Sequence, residues 1–169
     1  MTTIVVENGT IVTGANSYVT MAEYIDYAAS LNVTITDLQI YRTQLIKAAQ
    51  FIDGLENVLK GDTVEKTQPM AFPRNNLTDI NGWSWDNDEI PTVLKQAQMS
   101  LAIDINDGED LWNLSQSGAT GIKREKVDGA VEVEYAVSET GRLPYNSRSQ
   151  ALLMSLMRYN GLGIPLVMS

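Results

Sequence analysis

The stretch from Ile90 to Asp107 constrains the fold more than any other part of the chain. Ile90, Leu94, Ala97, Leu101 and Ile105 recur at helical spacing and form one apolar stripe. Pro91 sits where a first helical residue tolerates a missing N–H, and Asp86, Asn87 and Asp88 offer capping side chains before it. Asn106-Asp107-Gly108 is the stop, because Gly accepts the left-handed cap conformation. A helix on the surface of a small monomer needs one stripe only. Here Met99 and Ile103 add a second patch on roughly the opposite side. The helix is therefore either sandwiched inside the fold or in contact with another subunit.

The other elements arrange themselves around it. Thr3–Val6 and Thr10–Thr13 flank Glu7-Asn8-Gly9, which predicts an N-terminal β-hairpin. Thr20 and Glu23 form a capping box opening a first helix to about Leu31, with Met21, Tyr24, Ile25, Ala28 and Leu31 inward. A second helix runs from near Asp37 to about Leu55, with Leu38, Tyr41, Leu45, Ala48, Ala49 and Ile52 as its stripe. Ile40 and Phe51 lie on its other side. From Glu56 to Glu89 neither helical nor alternating periodicity survives, so an irregular segment is expected, pinned to the helices by Phe72, Trp83 and Trp85. Asp128-Gly129 joins two alternating runs, Ile122–Val127 and Ala130–Val137, into a second hairpin in which Lys123, Arg124 and Lys126 face acidic residues of the other strand. Ser147 and Gln150 open a last helix from Arg148 to about Tyr159, apolar almost all round. The expected fold is mainly α: a small helical bundle with a long irregular central loop, an N-terminal β-hairpin, and a second β-hairpin before the C-terminal helix. Residues 1–159 read as one domain. Residues 160–169 read as a docking arm, since Leu162, Ile164, Pro165, Leu166, Val167 and Met168 are apolar but cannot continue a helix past Gly161 and Gly163.

The chemistry a site would need is mostly missing from the composition. The chain has no cysteine and no histidine, which removes thiol nucleophiles, Cys-based metal sites and Ser-His-Asp triads. It contains no phosphate-binding loop, and Asp104, Asp107 and Asp110 read as a solvated cluster more readily than as a cation site. No catalytic residue, cofactor or metal ligand is assigned, and the protein is not expected to be an enzyme. No apolar run approaches the roughly 20 residues of a membrane span, and the N-terminus lacks a secretory pattern, so a cytosolic product is expected. A net charge of −9 repels polyanions at long range. Against that balance, Trp83, Trp85 and Tyr135 could stack bases while Lys123, Arg124 and Lys126 meet phosphates of a single strand.

Several motifs taken in order resemble a family of tailed-phage proteins, the head-to-tail connector adaptors, which also carry the label DnaT-like single-stranded DNA-binding proteins. They are Val6-Glu-Asn-Gly-Thr10, Ala15-Asn-Ser-Tyr-Val-Thr20, Leu45-Ile-Lys-Ala-Ala49, Gln68-Pro-Met-Ala-Phe-Pro-Arg74, Ile90-Pro91 and Lys126-Val-Asp-Gly-Ala-Val-Glu-Val-Glu-Tyr135. The resemblance implies a structural virion protein at the neck, a dodecameric ring under the portal that extends the DNA channel and joins capsid to tail. On that reading the partners are other copies of the chain, the portal, and a tail or stopper protein, with DNA passing through unbound. The arm (Leu162, Ile164, Pro165, Leu166, Val167, Met168) would dock on the portal, and Met99, Ile103, Leu153 and Met157 would line the subunit interface. The DnaT-like label implies the alternative, a single-stranded DNA-binding protein using Lys123, Arg124, Lys126, Trp83 and Trp85.

Overall fold

A computed structural model describes residues 3–79, 81–108 and 148–158, and the backbone of 125–127 and 131–133. The protein is mainly helical, with helices α1 (Met21–Ser30), α2 (Leu38–Gly54), α3 (Thr92–Asn106) and α4 (Arg148–Met154). The strands are short: β1 (Asp62–Thr63) pairs with β2 (Arg74–Asn75), and β3 (Glu125–Val127) pairs with β4 (Val131–Val133), both antiparallel. Among the described residues no helix is long and apolar enough to cross a membrane.

The helix starts follow local chemistry. At α1 the Thr20 hydroxyl accepts the Glu23 N–H at 3.1 Å and the Glu23 carboxylate accepts the Thr20 N–H at 2.7 Å, completing the capping box. Asp37 caps α2 by accepting the N–H groups of Gln39 and Ile40 at 2.8 and 3.2 Å. At α3 the expected side-chain cap from Asp86, Asn87 or Asp88 is absent, and Pro91 itself is the N-cap residue. Its carbonyl accepts from Leu94 and Lys95 at 3.0 and 3.2 Å. The stop is as read, with Gly108 at φ +100° just past the last turn.

The ambiguity over α3 resolves inside the chain. The helix packs against α1, α2 and α4, and every residue from Ala97 to Ile103 is buried. Met99, Ile103 and Leu153 belong to the hydrophobic core, and Met157 packs half-buried against it. The second apolar face of α3, assigned with Leu153 and Met157 to a subunit interface, is thus covered within the fold. The α2 surplus divides: Phe51 is buried, whereas Leu38, counted in the inward stripe, and Ile40 stand about half exposed, and Ile25 of α1 also faces solvent.

Gln98 is the polar residue this core is built around. It is fully buried, accepts the Tyr18 N–H at 2.9 Å, and donates to the Ser17 hydroxyl and the Leu45 carbonyl, each at 2.9 Å. One side chain thereby ties the N-terminal segment and α2 to α3.

The N-terminal hairpin does not form. Val6 instead makes a parallel bridge to Ser17, and the Glu7 carboxylate turns inward, accepting from Gly9 (2.8 Å), Ile11 (3.0 Å) and Val12 (2.8 Å). These N–H groups are the donors a ladder would need, so a buried carboxylate replaces the second strand. The α4 helix also ends earlier than its apolar run suggests. Leu156 accepts the Lys60 N–H and Arg158 donates its N–H to Val58, both at 2.8 Å, drawing residues 156–158 into extended pairing beside residues 58–60. The second hairpin is present as β3–β4, with Lys126 opposite Glu132 in register. The arm at 160–169, with its assigned residues Leu162, Ile164, Pro165, Leu166, Val167 and Met168, lies outside the described residues, as do Ser147, Lys123 and Arg124.

Candidate nucleic-acid interface

The segment expected to be structureless between α2 and α3 carries a run of short pairings. Arg74 organises it. Its guanidinium is buried and donates to the carbonyls of Lys60 (2.7 Å), Ala71 (3.1 Å) and Gly61 (2.9 Å), and it lies 5.8 Å from the centre of the Phe72 ring. Burial pulls its pKa below the usual arginine value, against the attraction of Glu56 and Asp62. Arg158 reaches the same carbonyl from the other side, donating to Gly61 at 2.7 Å and to Leu59 at 2.7 Å, with Asp62 3.3 Å away. Lys60 extends to the Ser155 carbonyl at 2.9 Å. Phe72 is fully buried and meets Tyr18 edge to face, with ring centres 5.9 Å apart.

Beyond β2 the chain reverses in a turn in which Gly82 donates its N–H to the Asp79 carbonyl at 3.3 Å. Thr78 pairs with Ser84, and Trp85 donates its N–H to Leu77 at 3.0 Å. The Asp79 carboxylate closes the turn, accepting from the N–H groups of Asn81 and Trp83, each at 2.8 Å. Desolvation pushes the Asp79 carboxyl up, but the hydrogen bonds from Trp83, Asn81 and Gly82 together outweigh it and hold the pKa below the usual value. The turn sends its two tryptophans to different fates. Trp85 packs half-buried against the core, while Trp83 is 75% exposed. A large aromatic surface is costly to leave in water, and Trp83 is held there by a turn locked at both ends.

Of the residues assigned to strand binding, Trp83 and Trp85 thus share one turn, with only Trp83 free to stack on a ligand. Lys126 lies in β3, and Lys123 and Arg124 are outside the described residues. Sequence reasoning missed Arg74, Arg158 and Lys60, which have no common spacing, and Asp79, whose Asp-x-Asn-Gly pattern was a legible turn signal.

A second feature adjoins this run. Asp53, at the end of α2, accepts a short hydrogen bond from the buried Tyr18 hydroxyl and the Ala71 N–H at 2.9 Å, both on Oδ1. Burial raises the Asp53 pKa, and the Tyr18 and Ala71 hydrogen bonds only partly oppose it. Burial and then the Asp53 charge drive the Tyr18 phenol well above its ordinary value. Asp53 faces a polar cavity of about 140 Å³ whose wall includes Glu56, Thr63, Lys66 and Gln68. Among the described residues no group of three or more acidic side chains is placed to hold a metal ion, and Asp104 instead accepts the Ser149 hydroxyl at 2.6 Å.

Comparison with known proteins adds one finding. The family model described as "Putative DnaT-like ssDNA binding protein" matches residues 2–168. No curated protein and no solved structure matches the chain. The expectation of a head-to-tail adaptor is overturned by this match, since the family found carries the DNA-binding description and is not a connector family. With it go the virion neck location, the dodecameric ring, the portal and tail partners, and a channel that DNA crosses unbound. The match spans nearly the whole chain, and the protein belongs to the DnaT-like single-stranded DNA-binding family.

Proposed function

We propose that this protein binds single-stranded DNA, with Trp83 as a platform for stacking a base. Family membership supplies the class of ligand, and the structural observation that carries the reading is the exposed indole on the Asp79-locked turn. Base–aromatic stacking is worth about 1–3 kcal/mol per base and tolerates any sequence. The cations for the strand's backbone are Lys123, Arg124 and Lys126, assigned that role from sequence, because Lys60 and Arg158 are already bonded within the fold. Cation–phosphate contacts weaken as salt rises, so binding through them is strongest at low salt, although the net charge of −9 opposes the approach of the strand. The role is binding, not catalysis.

The test is a titration of the full chain with a fluorescent oligonucleotide at rising salt. Trp83→Ala is expected to weaken binding roughly 5- to 150-fold, the stacking range above, while leaving the thermal transition in place. Absence of measurable binding at low salt would overturn the reading. Undiminished affinity in the Trp83→Ala protein would remove the stacking role.

A further inference from the structure

The cavity beside Asp53 has an unusual donor–acceptor balance. Asp53 Oδ1 is occupied by Tyr18 and Ala71, whereas no hydrogen bond among the described residues reaches Oδ2. Gln68, on the same wall, spends its amide on the carbonyls of Met70 (2.7 Å) and Pro73 (3.1 Å) and accepts the Glu65 N–H (3.0 Å), so it shapes the cavity without offering a free group. The remaining polar side chains on the wall are the carboxylates of Asp53, Glu56 and Glu65, the Thr63 hydroxyl and the Lys66 ammonium. Three carboxylates repel a phosphate, and the described acidic groups are not placed for a metal ion. What fits is a planar group that bears N–H donors and carries no negative charge.

We infer that this cavity takes a nucleobase by its exocyclic amino edge, Asp53 accepting the amino hydrogens, so that the protein binds dC strands in preference to dT strands. The inference rests on the single-stranded DNA-binding reading. In a single strand the pairing edges of the bases are free to be read. A carboxylate accepts well from the N4 amino group of cytosine. Thymine offers a single N3–H donor between two carbonyl oxygens, and the lone pairs of those oxygens face the carboxylate unfavourably. Trp83 stacking is indifferent to base identity, so any preference between these strands comes from another contact, and Asp53 supplies one.

The experiment compares binding of equal-length dC and dT homopolymers to the full chain at neutral pH and low salt, with native and Asp53→Asn proteins. The native protein is expected to hold dC about fivefold or more tighter than dT, the lower end of what one good base contact supplies. Asp53→Asn keeps an oxygen for Tyr18 and Ala71 but turns an NH2 toward the cavity, so the preference should move toward dT. Thr63→Phe, which fills the cavity from β1, should abolish the preference while leaving dT affinity as it was. Equal binding of dC and dT by the native protein overturns the inference, and so does a dC preference untouched in both variants. If the native protein binds neither strand, the DNA-binding reading itself fails. Binding without preference removes only the cavity's role.

Discussion

Replacing Gln98 by Met tests whether the core is organised as described. Gln98 is the acceptor for the buried Tyr18 N–H and a donor to Ser17 and Leu45. Methionine matches its length and fills the same space, so the loss is polar and not one of volume. Leu45 lies inside α2 and Ser17 also bonds to Val19, so neither is stranded. The Tyr18 N–H is stranded. Leaving a buried donor unsatisfied costs about 1–3 kcal/mol, and each further lost hydrogen bond about 0.5–1.5. The total is about 3 kcal/mol once the better burial of a thioether is set against it. For a chain of this length that corresponds to a fall in Tm of roughly 6–12 °C. Gln44→Met is the matched control. Among the described residues its side-chain oxygen is buried with no partner and its one side-chain hydrogen bond is a 3.2 Å contact to Asn106, so replacement is expected to fall within about 0.5 kcal/mol of neutral. Urea denaturation of both proteins, with Cm and m fitted, decides the matter. A Gln98→Met loss under about 1 kcal/mol, or equal to that of Gln44→Met, would refute the junction.

Three further outcomes are expected. Gly9→Ala should cost at least about 3 kcal/mol, because a Cβ there would lie 1.7 Å from the Asp88 carbonyl oxygen at φ +106°. Gly14→Ala, at φ +74° with nothing within 4 Å, should cost only about 1–2, and denaturation midpoints separate the two. The lowered pKa of Asp79 means its contribution to the turn is complete above about pH 3.9, the unfolded value, and disappears as pH falls through the folded one. Tryptophan emission should therefore change with a midpoint below 3.9 and lose that transition in Asp79→Ala. For Asp53 the sign is opposite. Its folded pKa is raised, so between about 3.9 and that higher value the folded state holds more protons and stability falls as pH climbs. Asp53→Asn should remove this slope from a plot of Cm against pH.

The sequence was legible wherever a few neighbouring residues settle the outcome. The Thr20–Glu23 box, the Asp37 cap and the Gly108 stop depend on side chains within one turn of the helix end, and each appears in the fold. Lys126 opposite Glu132 follows from period-two alternation alone. What stayed hidden depends on partners far along the chain. Whether Met99 and Ile103 faced a neighbouring subunit or the chain's own interior turned on how α1, α2 and α4 pack around α3. Glu7-Asn8-Gly9 carries a strong hairpin signal, but a carboxylate able to bind three N–H groups defeats it. The early end of α4 required knowing that residues 58–60 had open backbone groups nearby. Trp83 and Trp85 are equivalent as letters, and only the turn at Asp79 separates the one exposed from the one covered. The adaptor reading drew on the same gap, taking apolar surface that the subunit folds away as surface left for assembly.

The stitching of residues 156–158 to residues 58–60 has a consequence for how the protein is made. Leu153 and Leu156 plug the interior from the far end of the chain, and Arg158 latches onto a carbonyl that Arg74 already holds. While those residues are still within the ribosome, α2 and α3 have emerged but lack their covering, and greasy surface waits in the open. A stop codon placed ahead of Leu153 would leave the polypeptide in that state permanently, as prey for proteases and chaperones.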